Sequence, residues 1–513
     1  MLAILAVAAA ARLVHLRASP PWYMDECVFV GQSWNLIHGR FVWDAVDHSF
    51  LPRLPLFHLI VGFLMLLFGK DIVWVRFTTA LCGIATTWLV YRVGRELGGR
   101  RSAAIGAALF AICPYAVLLS RWGFTYNLCG LLAAANLYFL LRHRRRPAQA
   151  RHLWLAAAAA ALGLLTEPVM ASRLILLSGA AFLTVRPRRA LAATAAALAP
   201  AALYGVFLLV FHRKVLFQDV AVILGGRIPE PSDWFTLLTP FLTFLNELGG
   251  YGVLGLLGLA FVRRRGALRV LAAALALDLA VSLKLSAVDA GLLYRMGIIL
   301  VPSLFVGLGF ALDEGWRRLS ATVRSEASAA AHWLVARRGR PLTPGEWRSA
   351  RLVGLFVKWI ALACLLLLLS AKTMRGVSGH FPNAPRNYLR ACLGSIDDAQ
   401  AAAEWLRPRL APDDLVITTH MEWMFDCRVA SPMLVQLAEG GSGSPVYPAA
   451  LRERFRYPCR LRDARYAVLH EAIPALNDAY RLEETLRPIY DGWPMVHAEG
   501  LVRIYANPAR QSP

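Results

Sequence analysis

Two carboxylates stand side by side near the start of the 513-residue chain, in the segment Tyr23-Met24-Asp25-Glu26. A positioned carboxylate turns a hydroxyl into a nucleophile by accepting the proton that the attacking oxygen sheds. Downstream of the pair, Trp34, Phe41, Trp43 and Phe50 are interleaved with Asp44, Asp47, His48 and Arg53, and Trp22 and Tyr23 precede it. Aromatic faces stack on sugar rings and also suit the headgroup layer of a bilayer. An acidic pair taken at random is more often a solvated turn, so its meaning depends on the elements that hold it.

Those elements are membrane helices. The chain is 57% hydrophobic and 17% charged, with a mean hydropathy of +0.49, whereas soluble domains average about 45–50% and about 25%. A formal charge of +22 would suggest a nucleic-acid partner in a soluble protein, but its distribution excludes that reading. Residues 1–371 hold 38 Lys and Arg against 17 Asp and Glu, while residues 372–513 hold 17 against 16. The basicity belongs to the membrane part, where loops on the cytoplasmic side are rich in Lys and Arg.

The first apolar run, Met1 to about Leu16, lacks the basic start and small-residue cleavage pattern of a secretion signal, and reads as a span. Further apolar segments lie near 72–91, 102–120, 127–141, 153–166, 168–185, 190–211, 237–262, 267–283, 292–312 and 352–371. The expected fold is therefore an α-helical polytopic membrane protein of about eleven transmembrane helices. Leu54–Gly69 is a twelfth candidate, and charge decides it. If it does not cross, five basic connections holding 24 of the 38 basic residues, including 92–101, 142–151 and 313–351, face one side. Leu54–Gly69 is then a segment lying in the outer interface, the N-terminus and the basic loop 313–351 are cytoplasmic, and residues 372–513 lie outside.

The domains follow: a membrane domain over 1–371, with residues 18–71 as its first external loop, and an extracytoplasmic C-terminal domain over 372–513. In the latter, Asp397–Leu410 has helical periodicity, and Leu415–Thr418, Tyr466–Leu469 and Leu501–Tyr505 read as strands, predicting a small α/β domain. Cys82, Cys113, Cys129 and Cys364 fall in spans and read as small buried hydrophobes. Cys27, Cys392, Cys427 and Cys459 fall outside, where a disulfide among the last three is allowed.

Loops longer than about 12–15 residues are usually functional or disordered, and residues 18–71 are too aromatic for disorder. Basic residues on the outer side run against the positive-inside rule and so need a reason. Arg53, Arg121, Arg213, Lys214, Arg227, Lys284 and Arg295 are of this kind. Singly, each can be a side chain snorkelling to headgroups; as a set they suit a phosphate, with Arg53, Arg121, Arg227, Lys284 and Arg295 the expected ligands. Asp278, inside an apolar span, is costly and reads either as functional or as a partner within the bundle.

The order of an apolar span, Tyr23-Met24-Asp25-Glu26, Trp34-Asn35-Leu36-Ile37-His38-Gly39, Arg53-Leu54-Pro55-Leu56-Phe57, Phe68-Gly69, Val75-Arg76-Phe77 and Leu89-Val90-Tyr91-Arg92-Val93-Gly94-Arg95 resembles the bacterial GT-C glycosyltransferases related to protein O-mannosyltransferases and the lipid A aminoarabinose transferase. The resemblance covers about residues 10–185; beyond that it is architectural. It implies a polyprenyl-phosphate-linked sugar as donor, an envelope glycan, lipid or protein as acceptor, and transfer with inversion at the outer face of the membrane. Asp25 matches the catalytic carboxylate that takes the acceptor's proton, and Glu26 would assist it or orient the substrate. Tyr23, Trp43, Asp44, Asp47, His48, Tyr126 and Glu167 are the expected substrate contacts. Two positions depart from the pattern: Tyr126-Asn127 replaces an acidic residue, and Thr166-Glu167-Pro168 replaces a Thr-Lys, which implies a different donor sugar or an ion pair rewired to Arg173. Asp25-Glu26 is not an Asp-x-Asp, and Asp44 and Asp47 are three apart, so no metal and no cofactor beyond the lipid-linked sugar is expected. A flippase of lipid-linked sugars is the alternative, but the inverted repeats common in such proteins are not visible. A membrane scaffold built around residues 372–513 is a third reading.

Overall fold

The structure, a computed structural model, describes residues 1–18, 20–43, 45–47, 54–213, 216–217, 248, 250–262, 264–286, 295–338, 343, 356, 395–419, 421–441, 449–471 and 482–510. Asp44, His48, Arg53, Lys214, Arg227, Cys364, Cys392 and the expected span 352–371 apart from Phe356 lie outside them, as do the side chains of Trp43 and Lys284.

Most apolar segments become helices near the expected bounds: α1 (Leu2–Leu13), α4 (Val73–Leu97), α7 (Tyr126–Arg145), α8 (Arg151–Leu164), α9 (Ala171–Thr184), α10 (Pro187–Phe211), α11 (Gly250–Gly258) and α12 (Arg265–Ser286). Among the described residues, three stretches are long and apolar enough to cross a membrane, Val73–Leu97, Pro187–Phe211 and Arg265–Leu283; a bent pair would be a fourth. That pair is α5 (Arg100–Ile112) and α6 (Pro114–Arg121), which meet at 55° where one straight span was expected near 102–120. Pro114 is the cause, because it has no N–H for the preceding turn. The freed carbonyls are satisfied by the buried Arg12 of α1, whose guanidinium donates to Ala111 O at 2.8 Å and Phe110 O at 3.2 Å.

A second difference concerns the basic connection 313–351. The helix α13 runs unbroken from Val301 to Arg338, so the first half of this connection continues a span as helix. Arg317 and Arg318, paired with Asp313 and Glu314 one turn earlier, support the extension. The basic segments converge at this end of the bundle. Glu96, at the end of α4, pairs with Arg142 and Arg145 of α7, and its carbonyl accepts from Arg264; Asp313 pairs with Arg101 of α5.

At the opposite end, residues 18–71 are largely helical rather than loop. They form α2 (Met24–Ile37), the short hairpin β1 (Val42–Trp43) and β2 (Val46–Asp47), and α3 (Pro55–Phe68). With 14 residues, α3 is about 21 Å long, the same as α8 and α9. Phe57, Val61 and Met65 are buried on one side, while Leu59, Phe63, Leu66 and Leu67 are exposed on the other. Gly62 lets α2 and α3 touch, because a Cβ there would sit 2.6 Å from the Ser33 carbonyl.

The C-terminal residues build a five-stranded sheet in the order β4-β3-β5-β7-β6, from β3 (Leu415–Thr418), β4 (Arg428–Ala430), β5 (Ala464–His470), β6 (Met495–Glu499) and β7 (Val502–Ala506). The first three strands are parallel and the last two antiparallel to their neighbours. Alternation sends Val416, Val468, Val502 and Ile504 to the face under α14 (Ile396–Leu406), and Leu415, Ile417, Ala467 and Leu469 to the face under α15 (Pro432–Ala438) and α16 (Glu483–Gly492). The C-terminal layer is docked on the hairpin β1–β2. Arg456 N–H donates to Ala45 O at 2.9 Å, Arg454 donates to Asp47 O at 2.6 Å, and Val46 bridges Phe455. Cys27, Cys427 and Cys459 are not disulfide-bonded, so neither Cys427 nor Cys459 enters the bridge that their location allowed.

Candidate active site

The site is built on the first turn of α2. Tyr23, extended at the helix start, accepts from Glu26 N–H at 2.9 Å, and the Glu26 carboxylate reaches back to Tyr23 N–H at 2.8 Å. This reciprocal cap is why the chain turns into helix at Met24. It also places Asp25 on the helix N-terminus, where the dipole favours a negative charge.

The two neighbouring carboxylates have opposite fates. Asp25 is partly exposed, and its Oδ2 is 2.5 Å from an Arg295 guanidinium nitrogen. The same guanidinium bonds the Tyr23 hydroxyl and lies over the Tyr23 and Phe124 rings, 4.8 and 5.3 Å from their centroids. Glu26 is fully buried. Arg76, also buried, grips both its oxygens at 2.9 and 2.8 Å, and Gly123 N–H adds a contact of 3.0 Å. With Tyr23 N–H, four donors saturate one carboxylate. The other amino group of Arg76 bonds the carbonyls of Leu16, Arg17 and Pro20 at 3.0–3.1 Å. Arg76 and Glu26 thus tie together the end of α1, the start of α2, α4 and the 122–125 turn. This corrects the expectation that Glu26 acts on the substrate: a buried carboxylate with every oxygen engaged is a tether that fixes where Asp25 stands.

The 122–125 turn is the second support. Trp122 Nε1 donates to Pro21 O at 2.9 Å, Phe124 packs edge-on against Tyr23 at 5.2 Å, and Thr125 donates to Glu167 at 2.6 Å. Gly123 permits this approach, since a Cβ there would lie 2.2 Å from Val75 Cγ1.

Of the sequence candidates, Tyr23, Asp25 and Arg295 come together. Tyr126 opens α7 beside this turn, and Glu167 joins the turn through Thr125. Asn127, where the resemblance implied an acid, donates to the Leu119 and Phe124 carbonyls. Arg121 departs from its expected phosphate role. Its guanidinium donates to Ala11 O and His15 O at 3.0 and 3.1 Å, capping the end of α1. Asp47 sits on the hairpin facing Arg454 and Arg456 rather than Asp25. The candidates Trp43, Asp44, His48, Arg53, Arg227 and Lys284 are those outside the described side chains. Arg173 is paired, but with Asp278 and not with Glu167, and Ser172 adds 2.7 Å to the same carboxylate. Asp278 is therefore a partner within the bundle. Sequence reasoning assigned no role to Arg76, although a single Arg in the first turn of a long apolar span was a visible signal, nor to Phe124.

The arrangement can hold an anion and move a proton. Asp25 has an oxygen free to accept, Arg295 carries fork-shaped donors, and an apolar cavity of about 250 Å³ lined by Leu256, Leu275, Leu279, Leu300 and Leu304 begins five residues beyond Arg295.

Comparison with known proteins bears on the fold. The family model described as dolichyl-phosphate-mannose-protein mannosyltransferase matches residues 47–217. The structure of ArnT from Cupriavidus metallidurans bound to undecaprenyl phosphate superposes with a TM-score of 0.60 at 16% identity, over 99% of this chain and 98% of that one. AglB, the archaeal oligosaccharyltransferase from Archaeoglobus fulgidus, in complex with an inhibitory peptide and a dolichol-phosphate, gives 0.52 at 16% identity, over 100% of this chain and 74% of that one. No curated protein sequence matches. The chain shares the fold of these two solved structures, in line with the resemblance of residues 10–185.

Proposed function

We propose that the protein transfers a sugar from a polyprenyl phosphate to an acceptor hydroxyl, on an envelope glycan, lipid or protein, at the outer face of the membrane. The reading rests on one contact above all, the Asp25–Arg295 pair at the start of α2. In the resting site Arg295 neutralises Asp25. A donor phosphate competes for the same N–H groups, and when it takes them the Asp25 carboxylate is released to accept the proton of the acceptor hydroxyl. The hydroxyl oxygen then bonds to the anomeric carbon as the bond to the phosphate oxygen breaks, and Arg295 balances the departing charge. Attack from the face opposite the phosphate inverts that carbon. The apolar cavity beyond Leu300 suits an isoprenoid tail.

The orientation belongs to the same proposal. The basic segments meeting at Glu96 and Asp313 form the cytoplasmic end, and Asp25 and the sheet face outward. Phosphate chemistry at the far end explains why Arg295 stands where positive-inside disfavours a cation.

Reconstitution with radiolabelled polyprenyl-phosphate sugars tests the reading. Asp25→Asn is expected to lower transfer about 10²–10⁴-fold while leaving the thermal unfolding profile unchanged. Undiminished transfer by Asp25→Asn refutes the assignment, and lipid translocation without transfer favours a flippase.

A further inference from the structure

A cleft of about 610 Å³ lies between α2 and the segment 422–429 of the C-terminal layer, on the side of α2 that carries Val28, Gly31 and Trp34. Four cations line it, Arg40, Lys70, Arg428 and Arg456, against two acids, Glu422 and Asp426. Two of the cations are already answered: Arg428 pairs with Asp413 at 2.7 Å, and Arg456 lies 3.9 Å from Asp47. Lys70 and Arg40 make no ion pair among the described residues, and the Lys70 ammonium is held over the Trp34 ring, 5.8 Å from its centroid. Burial lowers the Lys70 pKa from its ordinary value, with Asp426 pulling the other way. A half-buried ammonium that feels Asp426 only from beyond ion-pair distance is partly compensated, and gains from an anion that bonds it directly. Trp34, Trp423 and Tyr457 add the flat apolar faces on which sugar rings stack.

The position of the cleft is informative. Val28 is one helical turn from Asp25, which puts the two Cβ atoms about 5–6 Å apart. A molecule lying along this face of α2 ends within one helical turn of Asp25. Gly31 faces open space, with nothing within 4 Å of an added Cβ.

We propose that this cleft binds an anionic saccharide, with a carboxylate or phosphate at Lys70 and Arg40 and a sugar ring on Trp34, as the part of the acceptor next to the hydroxyl that Asp25 deprotonates. The acceptor role rests on the transferase reading above; the binding does not.

The test uses the full chain in detergent micelles without donor, titrated with tetragalacturonate, glucose 6-phosphate and maltotetraose as probes. Losing one charge-assisted hydrogen bond corresponds to about tenfold or more in affinity. At least one acidic probe should therefore bind about tenfold more tightly than maltotetraose, and Lys70→Met should lower its affinity by about the same factor. Which acidic probe binds separates a uronate from a phosphate. Gly31→Phe fills the cleft from a position where the added Cβ meets nothing within 4 Å, so it should abolish binding without lowering the unfolding temperature, while Gly31→Ala weakens it less. Equal binding of the neutral tetrasaccharide, binding unchanged in Gly31→Phe and Lys70→Met, or no binding of either acidic probe overturns the proposal. Each of these results is independent of whether Asp25→Asn abolishes transfer, so the two readings fail separately.

Discussion

Replacing Glu26 by Gln should weaken the fold rather than the chemistry, and the size of the effect follows from its partners. The carboxylate accepts from Tyr23 N–H, Gly123 N–H and two nitrogens of Arg76, all with no exposure to water. An amide has one accepting oxygen, and its NH2 group would face two of those donors. It also leaves the buried Arg76 guanidinium without a counter-charge, a loss of about 3–5 kcal/mol for a broken buried pair. The contacts of Arg76 to Leu16, Arg17 and Pro20 persist, which places the expectation at about 3 kcal/mol, the lower end of that range. Arg76→Met should cost a similar amount. In Glu26→Gln/Arg76→Met no uncompensated charge remains, so the double variant should lose less than the sum of the singles, with a coupling of about 2 kcal/mol. Thermal unfolding of the purified protein in micelles, followed by tryptophan fluorescence, measures all three. If Glu26→Gln unfolds at the wild-type temperature yet abolishes transfer, the carboxylate is a chemical group and the tether argument is wrong.

Other consequences follow from the same contacts. Gly123→Ala forces a Cβ to within 2.2 Å of Val75 Cγ1, and should cost about 1–3 kcal/mol with a parallel fall in activity as the Tyr23–Phe124 contact shifts; a fully stable, fully active variant contradicts the close approach. His470 on β5 is buried, and burial lowers its pKa from the ordinary 6.5. The unfolded chain therefore binds a proton that the folded sheet does not, so the stability of this layer, intact above pH 6.5, should decline as pH falls below it. Hydrogen exchange at residues 464–470 of the full chain between pH 7.5 and 5.5 reads this, and protection that is flat or rises on acidification would count against it. Burial, then Asp414 and Asp426, push the Cys427 thiol up to about 12, leaving a thiolate fraction of about 10⁻⁴–10⁻⁵ at neutral pH. Maleimide should label it slowly in the native protein and promptly after unfolding, and rapid native labelling would show the thiol unburied.

Much of the membrane helix pattern was legible because it rests on local composition: long apolar runs can bury their backbone polar groups only as helix. Leu54–Gly69 was read as a single apolar segment, and the structure makes most of it one helix, α3. The split at Pro114 was equally readable in principle, since proline acts on the turn that contains it. Where continuity depended on side-chain pairs, as in the extension of α13 to Arg338, apolarity ended before the helix did.

The candidate site divides along the same line. Asp25 and Tyr23 were recoverable through the resemblance carried by Tyr23–Glu26, and Arg295 because a cation expected on the side that positive-inside disfavours demands a reason. The difference between Asp25 and Glu26 was not recoverable, for neighbouring acids look alike until it is known which one meets Arg76, 50 residues away. The same holds for Arg121, spent on the carbonyls of α1, and for Arg173, which found Asp278 rather than Glu167. Sequence by itself determined the class of molecule and the kinds of group available for chemistry, since these depend on composition and local order. Only the tertiary structure decided which charge is buried and which meets water, because desolvation and hydrogen-bond geometry are set by residues brought together from distant parts of the chain.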